Sequence, residues 1–173
     1  MPKAFKIIHN AAVVLKWGIF VVAVLRIALK WSSLPEMIGV HFAADGTFDV
    51  TAEKYYAFYP YVITLVTLLL SWAGAFAVTK VKTGMKLNDR GDSIFRGTIT
   101  LLIDTLSLVI VLFFGGEWVD CVLRQRPLNT AVPAIALYIM LAAFAAFFIA
   151  AIVIRLTNPP KTDNNDPERT HTE

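Results

Sequence analysis

The chain of 173 residues contains a single cysteine, Cys121. One thiol cannot close an internal disulfide, and no metal site can be assembled from cysteines. No G-x-S-x-G nucleophile setting and no glycine-rich phosphate loop is present; Gly84 is isolated, and His9 and His171 fall in terminal regions. These gaps remove the usual supports for nucleophilic and phosphoryl chemistry, so the expectation is a protein that is not an enzyme and carries no cofactor. Charge is also sparse, at 17% of residues with a net of +3. Most Lys and Arg residues lie between apolar runs, so a nucleic-acid partner is not implied. No internal repeat is evident. Nothing apolar follows Leu156, and residues 157–173, with Pro159, Pro160, Pro167 and mixed charges, are expected to form a disordered cytoplasmic tail.

What the chain has in abundance is apolar side chains, 57% of residues, with a mean hydropathy of +0.61. Both values lie outside the soluble globular class. Four apolar runs, at roughly 11–29, 56–78, 97–116 and 131–154, are each long enough to cross a hydrocarbon core of about 30 Å. The first run follows Lys3 and Lys6 as a signal peptide would. Lys16 and Arg26 interrupt it, however, and no small-x-small cleavage site appears before Trp31, so it is expected to be a retained span.

Orientation follows from the loops. Lys80, Lys82, Lys86, Arg90 and Arg96 crowd the connection after the second run, whereas the segment from Trp31 to Lys54 has only Lys54 as a cation. With Arg155, Lys161 and Arg169 after the fourth run, the positive-inside rule puts both termini in the cytoplasm, against the opposing vote of Arg124 and Arg126. Tyr55, Tyr56, Tyr59 and Tyr61 around Pro60 read as an aromatic belt, and Trp31 and Trp118 as outer anchors. Thr64, Thr67, Ser71 and Ala75 recur at helical spacing and predict a protein-facing stripe of small side chains. Gly115 and Gly116 are expected to end the third span, and Asn129 or Thr130 to cap the fourth, where Ala residues permit close contacts.

The segment between the first two runs is polar and rich in turn formers. Ser33 and Glu36 are spaced as a capping box, which predicts a short helical turn with Leu34, Ile38 and Phe42 on one face. Asp45 and Gly46 then make a turn. The pattern L-P-x-x-I-x-x-H-F-x-x-x-G-x-x-D, carried by Pro35, His41, Phe42, Gly46 and Asp49, resembles the signature of the domain of unknown function 1648 family, to which part of the SdpI-type toxin-immunity proteins belongs. The resemblance covers less than half of the chain. It departs from the family's usual pattern at Ala43 and Ala44 and at Phe48. It implies a small bacterial membrane protein of accessory or immunity type, but no specific activity. His41, Asp45, Asp49 and Glu53 also invite a metal reading. The turn at Gly46 breaks the helix that would align them, so a loop-ordering role for His41, bonded to backbone or carboxylate, is favoured over metal binding.

Asp104, inside the third run, is the most informative side chain, because an ionisable group in hydrocarbon is expensive and turns inward. Thr100, Asp104 and Ser107 lie on one helical face. The two readings are an ion or proton site and a structural pair, with the second favoured and Lys16 the natural partner. Lys16 and Asp104 lie at similar depths, roughly 7–11 Å from the cytoplasmic edge at the rise of a helix. Arg26 is the other cation within a run.

Together these readings predict an all-α integral membrane protein. Residues 1–156 would form an antiparallel four-helix bundle with an ordered extracytoplasmic loop at 31–54, in a bacterial plasma membrane. The expected function is binding of a peptide toxin or a partner membrane protein through the outer face. The alternative is a small transporter or channel subunit using Asp104 in an oligomeric pore.

Overall fold

The computed structural model describes residues 1–80, 84 and 86–160. Helix α1 (Lys3–Lys30) ends in a 3-10 turn at Trp31–Ser33 and leads to a hairpin of β1 (Met37–Phe42) and β2 (Phe48–Glu53). A second 3-10 turn, Lys54–Phe58, enters α2 (Tyr59–Lys80). Helix α3 (Asp89–Leu112) runs through a π-helical turn (Phe113–Trp118) into the short α4 (Val119–Arg124), and α5 (Ala131–Thr157) follows. Four helical stretches are long and apolar enough to cross a membrane: Lys3–Ser33, Lys54–Lys80, Asp89–Arg124 and Ala131–Thr157.

Helix α3 is the common neighbour of α1, α2 and α5. Its start is well specified. Asn88 caps it by accepting from the Gly91 amide at 2.8 Å, and Asp89 and Asp92 place negative charge in the first turn, where the helix dipole favours it. Phe5, Lys16 and Arg26 of α1 meet Gly97, Asp104 and Asp120 in that order, so α1 and α3 run parallel. Tyr61 and Ser71 of α2 meet Ala23 and Lys16 of α1, so α2 runs the other way. Outward-facing apolar side chains such as Val14, Leu70, Phe148 and Leu156 are more than half exposed, as surfaces meant for hydrocarbon are.

The apolar core gathers at the hairpin end. Ala23, Ile27, Leu34, Ile38, Ala57, Tyr61, Val119 and Val122 form one buried cluster there. The expected helical turn at 33–42 is instead a strand. Ser33 does not cap; its hydroxyl donates to the Lys30 carbonyl, and Met37–Phe42 pairs antiparallel with Phe48–Glu53. Ile38 and Phe42 do turn towards the helices, Ile38 fully buried and Phe42 edge-on to Trp118, while Met37 and His41 are exposed. Alternation, not a 3.6-residue period, places them so, because the complementary strand beyond the turn offers a backbone ladder that a lone helical turn lacks. Two irregularities in register, on either side of His41, reshape the hairpin there.

Three other expectations change. Gly115 does not end the third span but lies buried within it, where even a Cβ would make only ordinary contact with Ile19 at 3.4 Å and Thr64 at 3.6 Å, and the helical path continues to Arg124. The path stops at Gln125, whose φ of 49° is left-handed. Tyr61 leaves the aromatic belt: it is buried and its hydroxyl donates to the Ala23 carbonyl, whereas Tyr55, Tyr56 and Tyr59 are exposed. Thr157 closes α5 and Asn158 is buried against the start of α3, so these two residues of the expected tail are part of the fold; 161–173, with Lys161 and Arg169, and Lys82 lie outside the described residues. Asn129, not Thr130, supplies a side-chain cap to α5, accepting from the Ala131 amide at 3.1 Å.

Candidate functional site

Where α1, α2 and α3 meet, a polar centre is enclosed by apolar helix surface. Lys16 is 2% exposed and Asp104 3%. The Lys16 ammonium donates to Asp104 Oδ1 at 2.8 Å, Ser71 Oγ at 2.7 Å and Ser107 Oγ at 2.9 Å. Those three bonds use all the protons an ammonium has. The second Asp104 oxygen, Oδ2, lies 2.8 Å from Nδ1 of His9. A buried ion without such partners would cost several kcal/mol. Here charge is cancelled locally, and no buried side-chain nitrogen or oxygen among the described residues lacks a hydrogen bond.

The expected pairing of Lys16 with Asp104 is thus present as a contact, and Ser107 joins it. Thr100 is buried one turn below, where its hydroxyl donates to the Arg96 carbonyl rather than to Asp104. Two members were missed. Ser71 was read only as part of a packing stripe; three of that stripe's members, Thr64, Ser71 and Ala75, are buried. His9 was set aside as terminal, although its place seven residues before Lys16 puts both on one helical face.

Arg26 takes part in a second cluster nearer the hairpin. It pairs with Asp120, which also binds Arg126 at 2.9 Å and Arg124 at 3.1 Å. Arg126 reaches both Glu117 oxygens at 3.1 Å. Its hydrogen bond to Asp120 raises the guanidinium's hold on its proton above the ordinary value. Arg124 and Arg126, which run against the orientation rule in the sequence, are thus held by carboxylates earlier on the same helical path.

In the hairpin, Pro35 is exposed. His41 Nδ1 lies 2.6 Å from Asp49 Oδ1. Phe42 stacks on Phe48 with ring centres 4.6 Å apart. Asp45 is occupied by Thr47, accepting from its amide at 2.9 Å and its hydroxyl at 2.7 Å, contacts that lower the carboxyl's pKa. Gly46 has φ of +86°, and its carbonyl accepts from the Leu128 amide at 2.8 Å, tying the hairpin tip to the loop before α5. Among the described residues no group of three His, Cys, Asp or Glu side chains is placed to hold a metal. Beside the hairpin, a cleft of about 310 Å³ is lined by Val40, His41, Tyr56, Tyr59, Trp118 and Val122. Its size and aromatic walls suit one bulky side chain or a small ligand.

Four helices long and apolar enough to cross a membrane are compatible with a multi-pass membrane protein. No family model, curated protein or solved structure matches the chain.

Proposed function

We propose that the chain is an antiparallel four-helix membrane bundle with both ends cytoplasmic and the hairpin as an ordered outer cap. On this reading it is an accessory protein of immunity type that captures a peptide or a segment of a partner membrane protein at its outer face. The observation that carries the reading is the cleft lined by Tyr56, Tyr59 and Trp118, open beside an exposed His41 under a hairpin whose tip is tied at Gly46 to the loop before α5 and whose base is closed by the Lys54 amide on the Glu36 carbonyl. Tyr and Trp supply binding area with little side-chain entropy to lose, and they dominate interface energetics. The resemblance of the hairpin to the domain of unknown function 1648 signature supports the same reading. Against a transport role stands Asp104, whose carboxylate is held on both oxygens.

Site-specific photo-crosslinking in living cells tests this. A benzophenone side chain at Tyr56 should give a discrete adduct, reduced at least several-fold by Trp118→Ala, while the same group at Phe148, on the lipid side, should give none. Cells carrying the gene should outlive those without it when challenged with the captured peptide. Equal labelling from both positions would sink the outer-face reading. A reporter after Lys86 should behave as cytoplasmic and one at Asp45 as external; the reverse would invert the bundle.

A further inference from the structure

At the end of the molecule away from the hairpin, a second cleft of about 210 Å³ opens between α1, α2 and α3. Its lining is mostly apolar, with Met1, Trp72, Ala75 and Phe76, and His9, Thr79 and Thr100 supply its polar atoms. The His9 side chain is 23% exposed, while the Asp104 carboxylate it touches is 4% exposed. His9 is therefore the one member of the polar centre that reaches both the cleft and the interior.

We propose that His9, Asp104 and Lys16 form a proton-binding site that loads from this cleft. An ionised carboxylate can only accept, so His9 must carry its proton on Nδ1 to bond Asp104 Oδ2. That leaves Nε2 as the basic atom of the cluster, on a ring that lines the cleft. With His9 neutral, the three groups sum to zero charge. A proton taken up from solvent onto Nε2 makes the sum +1 and leaves two cations, His9 and Lys16, each 2.8 Å from an oxygen of the same carboxylate. No other reactant is required. Imidazole is the side chain suited to such a change, because it ordinarily gains and loses charge between about pH 5 and 8.

Ser71 and Ser107 also line an apolar cleft of about 280 Å³ between α2 and α3, but towards the hairpin the path between α1 and α2 is closed. Thr64 and Ala23 are at most 1% exposed, and Tyr61 seals α2 against α1 through its bond to the Ala23 carbonyl. The helices that form the cleft carry other charged groups at the same end. On α1 they are the exposed Lys3 and Lys6 and, at its start, the Met1 amino group; on α2, Lys80, lying over the Phe76 ring; on α3, Arg96, bonded to Asp92 and to the Val78 carbonyl. Of the groups bonded to His9, only Asp104 is anionic, so the imidazole and the Lys16 ammonium compete for it. Proton loading should loosen α1 on α3 without unfolding either.

The inference does not depend on what the hairpin cleft captures. The test uses the full chain in lipid nanodiscs with labelled histidine. The sequence has three histidines, so His41→Gln with His171→Gln leaves His9 as the sole imidazole. Nitrogen NMR should find it as the Nδ1–H tautomer at high pH and doubly protonated at low pH. A carboxylate band in the infrared pH-difference spectrum should move at the same midpoint. That band should vanish in His9→Gln, which keeps the Lys16–Asp104 bond and should fold. In proteoliposomes whose N-terminus is shielded from external protease, only a pH step on the shielded side should trigger the change. Three results would overturn the proposal: a His9 ring that never changes state from pH 4 to 9, a titration that leaves the carboxylate band still, or loading from the hairpin side.

Discussion

The polar centre and the hairpin end both hold charged side chains, in opposite environments. In the centre a single ammonium and a single carboxylate are almost wholly enclosed, and every proton and lone pair that matters is matched by His9, Ser71 or Ser107. At the hairpin end Asp120 is shared among three arginines whose side chains are 34%, 36% and 69% exposed. Water and ions screen those contacts, so each contributes little, and it is the apolar cluster around Ile38, Ile27 and Val119 that fixes the hairpin. Burial decides which charges matter: the same kinds of groups specify helix packing where water is excluded and only trim it where water enters.

The sharpest way to break this contrast is to unbalance the centre. Lys16→Met or Asp104→Asn alone should destabilise by about 3–5 kcal/mol, since each strands a buried polar or charged partner. The double replacement should recover much of the folded protein seen by size-exclusion chromatography in detergent. Losses that simply add would mean that the two side chains do not act as a pair.

At the other end, geometry should outweigh charge. Gly46→Ala would force a side chain into a left-handed conformation and set its Cβ 2.1 Å from the Leu128 carbonyl oxygen, so a loss of about 1–3 kcal/mol is expected. Limited proteolysis should then cut at the hairpin tip faster than in the wild type.

Smaller still is the exposed pair of His41 and Asp49, at 63% and 43% side-chain exposure. His41→Ala or Asp49→Ala should cost under about 1 kcal/mol and leave metal content unchanged. Elemental analysis finding about one tightly bound ion, lost in His41→Ala, would overturn the loop-ordering role. The least effect concerns Asp45. Its pKa is depressed below 3.8 by Thr47, so the turn gains stability above that pH and loses it as pH falls through the lower, folded value. Amide exchange at Thr47 should therefore quicken only in strong acid, and Thr47→Val, which removes the hydroxyl bond but keeps the amide bond, should weaken that dependence.

Much of the centre was legible because helical spacing is local information. Lys16 and Asp104 announce themselves as charges inside apolar runs, and the faces they share with their helical neighbours follow from a 3.6-residue period. His9 carried the same signal weakly, seven residues before Lys16, but near a helix start it could as well have been a solvated side chain. The hairpin was misread for the opposite reason. Ser33 and Glu36 satisfy a helix-start pattern within four residues, whereas the strand at Met37–Phe42 depends on Phe48–Glu53, which no local pattern around Ser33 includes.

By itself, then, the sequence determined the four apolar spans and the burial of one Lys and one Asp, because hydropathy, rise per residue and the cost of a charge in hydrocarbon are properties of short stretches of chain. The tertiary structure alone decided that His9 reaches Asp104, that Gly115 is a contact rather than an end, that Asp120 gathers three arginines, and that β1 finds β2. Each of these depends on residues distant in sequence whose meeting is set by how α1, α2 and α3 pack, and packing is fixed only when all the partners are in place.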